Sequence, residues 1–410
     1  MPKNATYLCP EIQNDVIEVL AECVRDSIIH DINNADVPWF TLLEDGTKDK
    51  NNRENVAIGI RYVREGKVWE SILCIKTTED LDSETFTNLT LNTLQEYGIS
   101  SDRLLRQCFD GASVMSGKNG GVQARIQKKL NRFIPYVHCS NHRLHLVLIK
   151  SIDIPTIKQF FDQCTMLYHF LKQSSVAKLY KGHALSRLLE QRWSGHLHVT
   201  SVICNNYKEI VNCLNEAIGK KDFPGDKVAE ATGLQRIVTM RPFKFCAVFM
   251  NKVLHALEPA DKLLQARETD LRQSARITDS LIEVIQGFRD DATFEEIWKI
   301  CTSGDYNTNT SLAEAEPVEN KRRRKVNSAL KDCVVMETTG ASRDSCNLKS
   351  VFFEVLDVML LELKRRFSEN GELIHSLQAA ENLEYENIGY LSSVGISLPS
   401  KEELIATLGR

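Results

Sequence analysis

Two aspartates stand where chemistry could be done. Asp45 closes the apolar run PWFTLLED at residues 38–45, and Asp110 closes RLLRQCFD at 103–110; a glycine follows each. Each is therefore an acid leaving an apolar segment at a turn-forming residue. Carboxylates brought together in that way offer the hard oxygen donors that Mg²⁺ takes, and Mg²⁺ held so can promote attack on a phosphodiester. Asp is also a common turn former, and the residues alone leave both readings open.

Directly after Asp110 the charge balance changes. From Gly111 to Ile152 there is no Asp or Glu, while Lys118, Arg125, Lys128, Lys129, Arg132, Arg143 and Lys150 are all basic. Clustered cations beside paired acids suit a polyanionic backbone, since neutralised phosphates release counterions; a solvated helix face is the plainer alternative. Within the same stretch the run HCSNHRLH holds His138, Cys139, His142 and His145. The Cys139 to His142 spacing would suit zinc held from a strand end and a helix start. No second cluster with matching spacing accompanies it, so Cys139 and His142 read as structural residues beside the Asp110 strand. No GxSxG motif positions a nucleophile for a hydrolase. The KRRRK cluster at 321–325 matches nuclear import signals in composition.

The elements that must position these residues follow from hydrophobic period. Residues 38–45, 54–64 and 67–77 read as strands, the last two joined by Glu65-Gly66 as a hairpin. Residues 83–97 read as a helix with Asp82 or Ser83 as N-cap and Gly98 as its stop. A strand at 103–110, a helix at 121–130, a strand at 134–139 and a helix at 141–152 complete the order β-β-β-α-β-α-β-α. That is the topology of an α/β, RNase H-like mixed sheet. In it the first and fourth strands lie side by side and parallel, so Asp45 and Asp110 meet at the switch point where ligands bind.

After Pro155 the strands stop. A helical stripe at 155–174 is followed by helical segments near 197–218, 244–267 and 275–300. The expected organisation is a helical lead at 1–36, an RNase H-like core at 37–153 and a large all-α insertion at 154–302. A loop or disordered linker with the basic cluster at 303–350 and a C-terminal helical segment at 351–410 complete it.

Composition narrows the classes. The 410 residues carry 51 Lys and Arg against 55 Asp and Glu, a formal net charge of −4, which excludes a chain that is polycationic throughout. No apolar run approaches the ~18 residues of a membrane span, and the first residues, MPKNATYLCPEIQND, lack the pattern of a secretory signal. The 12 cysteines form no CxxC pair, so reduced thiols in a cytosolic or nuclear protein are expected.

Four ordered stretches resemble the transposase-like domain of the hAT superfamily: LLEDGTKDKNNRENVAIGIRYV, CFDGASVMSGKNGGVQARIQ, YVHCSNHRLHLVL and QRWSGH. More narrowly, the chain is similar to the branch of zinc finger MYM-type protein 1-like and 52 kDa repressor of the inhibitor of the protein kinase-like sequences. The resemblance implies an RNase H-like catalytic core interrupted by an all-helical insertion. It implies three metal-holding acids, of which Asp45 matches the first and Asp110 the second, with Mg²⁺ as the cofactor if the pair still holds one. Cys139 and His142 match the family's CxxH element. Arg192 and Trp193 match an Arg-Trp pair near DNA, whose tryptophan stacks on a flipped-out base.

The sequence departs from the family in two places. The third acid belongs to a Ser-x-x-Glu-Arg-x-Phe-Ser segment in the dimerisation region, and nothing here matches it; Glu354, Glu362 and Glu369 precede that position and do not fit. No N-terminal zinc finger of the BED, TTF or MYM type is matched either. The expectation is a transposon-derived protein, catalytically inactive, that binds DNA and protein in the nucleus and has no membrane association. DNA contact is expected through Lys118, Arg125, Lys128, Lys129, Arg132, Arg192 and Trp193. An active metal-dependent transposase or nuclease, completed by a partner or a longer chain, is the alternative; a helical scaffold with no nucleic-acid role is the third.

Overall fold

In the computed structural model, residues 9–50, 53–188, 194–266, 268–302, 343–368, 371–382, 384–393, 398 and 400–408 are described. They divide into two compact units. The first comprises Met1–Arg143, Leu264–Ala275 and Phe367–Arg410; the second comprises Leu144–Leu263 and Arg276–Arg366.

The first unit is built on a five-stranded sheet of order β3-β2-β1-β4-β5. Its strands are β1 (Phe40–Lys48), β2 (Glu54–Arg64), β3 (Lys67–Thr78), β4 (Leu104–Phe109) and β5 (Tyr136–His138). β1, β2 and β3 pair antiparallel, whereas β4 joins β1, and β5 joins β4, in parallel. Three meandering strands followed by parallel strands reached through helices is the RNase H-like arrangement. Helices α1 (Pro10–Asn33), α2 (Ser83–Glu96), α3 (Ser113–Ser116) and α4 (Val122–Leu130) belong to the same unit, and α5 (Ser140–Ile152) begins in it and continues into the second.

Local chemistry explains the joints. Glu65 and Gly66 take φ of 54° and 68°, the left-handed pair that a tight β2–β3 hairpin requires. Asp36 fixes that turn by accepting the amides of Glu65 and Gly66 at 3.0 and 2.7 Å. Those amides, Gly66's above all, hold its carboxyl below the usual carboxylate range. Asp82 caps α2 by accepting the amides of Glu84 and Thr85 at 2.8 and 2.9 Å, and Gly98 follows the helix at φ 65°. Alternation along β1 aims Phe40 and Leu42 into a core shared with Ile58, Ile60, Leu94, Val122 and Ile126.

Several boundaries differ from the sequence expectation. β1 does not end at Asp45: it runs through Gly46 to Lys48, because antiparallel pairing with β2 continues to Lys48↔Glu54. The turn falls instead at Asp49, whose carboxylate accepts the Arg53 amide at 2.9 Å. Short α3 was not foreseen.

The remaining helices are α6 (Pro155–Leu171), α7 (Ser174–Ala177), α8 (Ser194–Asn205), α9 (Tyr207–Gly219), α10 (Gly225–Thr239), α11 (Arg241–Leu264), α12 (Leu271–Phe288), α13 (Asp291–Thr302), α14 (Arg343–Phe367), α15 (Gly371–Glu381), α16 (Tyr390–Ser393) and α17 (Lys401–Leu408). The segment 197–218 is thus two helices, broken at Asn206, and 275–300 is also two, broken where Asp290 caps α13 through the Thr293 amide at 2.6 Å. α10 was not foreseen. Residues 343–350, expected within the linker, belong to α14; Leu348 is buried and Lys349 pairs with Asp291 at 3.1 Å. The second unit's core is aromatic. Phe245 lies 5.5 Å from Phe294, and Phe249 lies 5.0 Å from Phe352, between ring centroids. Cys164, Cys204, Cys246 and Cys301 are buried in the same unit, and burial pushes all four thiols up. Among the described residues no helix is long and apolar enough to cross a membrane.

One polar residue breaks the apolar alternation of β1. Glu44 follows Phe40 and Leu42 on the core face and is only 6% exposed. Burial raises its pKa from 4.5 to about 8, against the opposing pull of its hydrogen bond with Thr90. The Thr90 hydroxyl contacts both Glu44 and, at 2.9 Å, the Phe86 carbonyl. A hydroxyl has one proton, so both contacts are satisfied when a neutral Glu44 donates to Thr90 and Thr90 donates to Phe86. Because folding raises this pKa, its stabilising effect is complete below about pH 4.5 and is lost as the pH climbs through about 8. Glu44→Gln keeps the donor without the titration. Its advantage over the native protein should be small at pH 5 and grow towards pH 8, by up to about 1.4 kcal/mol for each pH unit between the two pKa values. Thermal melts of both proteins across that range check this; parallel curves would place no titrating acid in the core.

Candidate functional site

Parallel pairing of β1 with β4 includes Leu42↔Gln107 and Leu43↔Cys108. Two residues beyond that last pair on each strand stand Asp45 and Asp110. They therefore leave the parallel pairing at the same level, at its carboxyl end. Asp45 is exposed, Asp110 half-buried. By alternation Asp45 faces away from the core side occupied by Glu44.

β5 extends the site by one strand. Phe109 pairs with His138, and the Cys139 amide donates to the Phe109 carbonyl at 3.0 Å. The Cys139 thiol is pushed up mainly by burial; the amides of His142 and Asn141 donate to its sulfur and oppose this, while the carboxylates of Asp45 and Asp110 both add to it. Asp45, Asp110 and Cys139 thus share one electrostatic neighbourhood, with the sulfur at the start of α5. Cys108, beside them on β4, is pushed up to about 12, by burial first and by Cys139 next.

Aromatic rings buttress the Asp110 turn. Tyr136 donates its hydroxyl to the Asp110 carbonyl at 2.7 Å, and an Asp110 carboxylate oxygen accepts the Ala112 amide at 3.2 Å. Ring centroids step from Phe109 to Tyr136 at 6.0 Å, to His138 at 6.4 Å and to His142 at 5.3 Å. A Cβ on Gly111 would stand 2.3 Å from Cε1 of His138, so the ring is seated where any side chain would be. Cys139 and His142 accordingly sit in the packing beside the β4 end.

The carboxylate pair supplies the oxygen donors that Mg²⁺ prefers. Among the described residues, however, no group of three or more His, Cys, Asp or Glu is placed to hold a metal ion, and a thiol held neutral by burial stands beside the pair. Among the described residues, then, the pair is not joined by the further donors a two-metal phosphodiester centre would need. Glu354 is exposed, and Glu362 is held by Arg365 and Arg366 at 2.7 and 2.8 Å.

The basic residues are split by chain direction. α4 carries the chain from the carboxyl end of β4 back to its start, and Arg132 donates to the carbonyls of Ser101 and Leu104 there. Lys128, Lys129 and Arg132 therefore stand at the opposite end of the sheet from Asp110, about 20 Å along the strand direction. Lys129 bonds Asn88. Arg125, at the start of α4, ties it to α2 through Ser83 at 2.9 Å and Glu84 at 3.3 Å. Lys118 is exposed in the turn between α3 and α4, on the side of the carboxylates. Arg143 is buried, with its guanidinium 5.9 Å from the Phe367 ring centroid. Arg192, Trp193, Glu369 and the 321–325 cluster lie outside the described residues. Missed in the sequence were Glu44, Tyr136 and Gly111; an acid at the alternation position after Phe40 and Leu42 was the one signal that could have shown Glu44.

Residues 1–121 match the family model described as DUF4371: ZMYM1/FAM200, RNase-like domain. Over those residues the chain is similar to the ZMYM1/FAM200 RNase-like domain. Both candidate carboxylates fall inside the matched residues, while Cys139 and His142 lie beyond them. Among solved structures the chain is similar to the Drosophila P element transposase strand transfer complex at 13% identity and a TM-score of 0.23, over 67% of this chain and 69% of that one. Strand order and the family match, not that weak similarity, identify the domain as RNase H-like.

The seat of His138 gives the RNase-like domain a direct test. Gly111→Ala should destabilise it by about 1–3 kcal/mol as the ring is displaced, whereas Gly120→Ala, with nothing within 4 Å of the new methyl, should not. Paired thermal melts, with NMR of the His138 ring protons, decide it; an unchanged midpoint for Gly111→Ala would remove the ring from that position.

Proposed function

We propose that this ZMYM-like chain is a transposon-derived, hAT-type RNase H-like protein that binds nucleic acid and protein and does not cleave phosphodiesters. The observation that carries the reading is the arrival of Asp45 and Asp110 at one level of adjacent parallel strands, inside residues matched by an RNase-like family. In the hAT resemblance these two positions are metal-holding acids of the strand-cleavage centre. Within these 410 residues only two of the three acids of the hAT resemblance have counterparts, and losing one member of a catalytic unit costs orders of magnitude in rate. DNA contact then rests on the Lys118 cation on the carboxylate side, with the Arg192 cation and stacking by Trp193 as the further expected contacts.

The test compares the native protein with Asp45→Asn/Asp110→Asn. Calorimetry should detect no Mg²⁺ or Mn²⁺ binding to either protein. Duplex DNA should bind with an affinity that falls steeply with salt, and the double variant should bind several-fold more tightly, since two charges that repel the phosphates are gone. Divalent metal bound by the native protein and lost in the variant would instead establish the metal-dependent nuclease, and salt-independent affinity would remove the DNA reading.

Nuclear location belongs to the same proposal and rests on the KRRRK composition at 321–325. A fluorescent fusion of the full chain should concentrate in nuclei and lose that concentration when the five residues become alanine; cytoplasmic fluorescence in the native fusion would refute it.

A further inference from the structure

α1 turns an apolar face to solvent. At its C-terminal end Ile28, Ile29 and Ile32 pack against the sheet's core, and the Arg25 guanidinium lies 5.1 Å from the Tyr97 ring centroid. These four residues mark the side of the helix that faces its own domain. At about 100° per residue, Ile12, Val16, Val19, Leu20 and Val24 centre roughly 170° round from that side. They are 42–59% exposed, and Ile17 beside them is 62% exposed.

A second row borders this face. Glu11, Asp15, Glu18, Glu22 and Asp26 are all exposed and recur at steps of four, three, four and four residues, along one edge of the apolar stripe. Ile12, Val16, Val19 and Cys23 follow the 4-3-4 spacing of a helix-pairing seam. The overhang is therefore an apolar seam with an acidic rail, and its one cation, Arg25, is turned inwards.

We propose that α1 docks an amphipathic helix of a partner protein, one whose apolar stripe is edged by Lys and Arg. The rail selects for charge as the seam selects for shape. A second copy of this chain is a poor occupant, because α1 contains no lysine and would bring the same five acids. The proposal is independent of the carboxylate site in β1 and β4.

The probe is a synthetic three-heptad helix with Leu at its seam and Lys at both flanks, set against a counterpart with Glu at the flanks. The full chain should bind the Lys peptide and not the Glu peptide in fluorescence anisotropy. Val16→Asp/Leu20→Asp should weaken binding by at least about tenfold, with the thermal midpoint unchanged because both side chains are exposed. Asp15→Lys/Glu18→Lys/Glu22→Lys turns the row from net acidic to net basic and should reverse the preference, releasing the Lys peptide and capturing the Glu peptide. Equal binding of both peptides, or no reversal, would overturn the proposal. So would sedimentation showing a dimer of this chain that Val16→Asp/Leu20→Asp dissociates.

Discussion

The parallel pairing of β1 with β4 is the constraint on which the site depends. Asp45 and Asp110 are separated by a hairpin, an edge strand and a helix in sequence, and no local interaction could bring them together. Backbone hydrogen bonds between two short strand segments do so, by fixing a register in which both acids stand two residues beyond Leu43↔Cys108. Slipping one strand by a residue would turn its acid to the core face. The buried side chains on that face, Phe40, Leu42 and Phe109 among them, resist such a slip, so the hydrophobic core and the site are specified by one register.

The strand that carries Asp45 also carries Glu44, and the pleat gives the two acids opposite fates. Asp45 reaches solvent beside Asp110. Glu44 enters the core, where burial makes its neutral form the stable one near neutral pH. A neutral carboxyl can donate, and Thr90 with the Phe86 carbonyl accepts that arrangement. Adjacent residues of one chemical type thus become a surface charge and an interior hydrogen-bond donor through the two-residue period alone.

Chain direction has a similar sorting effect on the basic run after Asp110. Read in sequence it is a single acid-free stretch. Folded, the return path of α4 carries Lys128, Lys129 and Arg132 to the far end of the sheet, and Arg125 and Arg132 become ties between elements. Lys118 stays with the carboxylates. The charge density that the sequence advertises is therefore distributed along the sheet's length rather than gathered beside the acids.

Much of the fold was legible in the residues because periodicity is local. The strands at β2 and β3, the Glu65-Gly66 hairpin, the Asp82 cap and the β-β-β-α-β-α-β-α order follow from alternation, turn chemistry and capping, each set within a few neighbours. The two acids could be singled out for the same reason, as each closes an apolar segment before a glycine. Other features depend on partners far along the chain. Continuation of β1 past Gly46 is decided by β2, the burial of Glu44 by α2, and the seat of His138 over Gly111 by the pairing of β4 with β5. The outward turn of the apolar residues of α1 was likewise invisible, since periodicity gives a helix its stripe but only packing decides which side meets the core. Sequence fixes what each segment prefers to be; tertiary structure alone decides what each side chain faces, because that depends on groups brought near by pairing and burial.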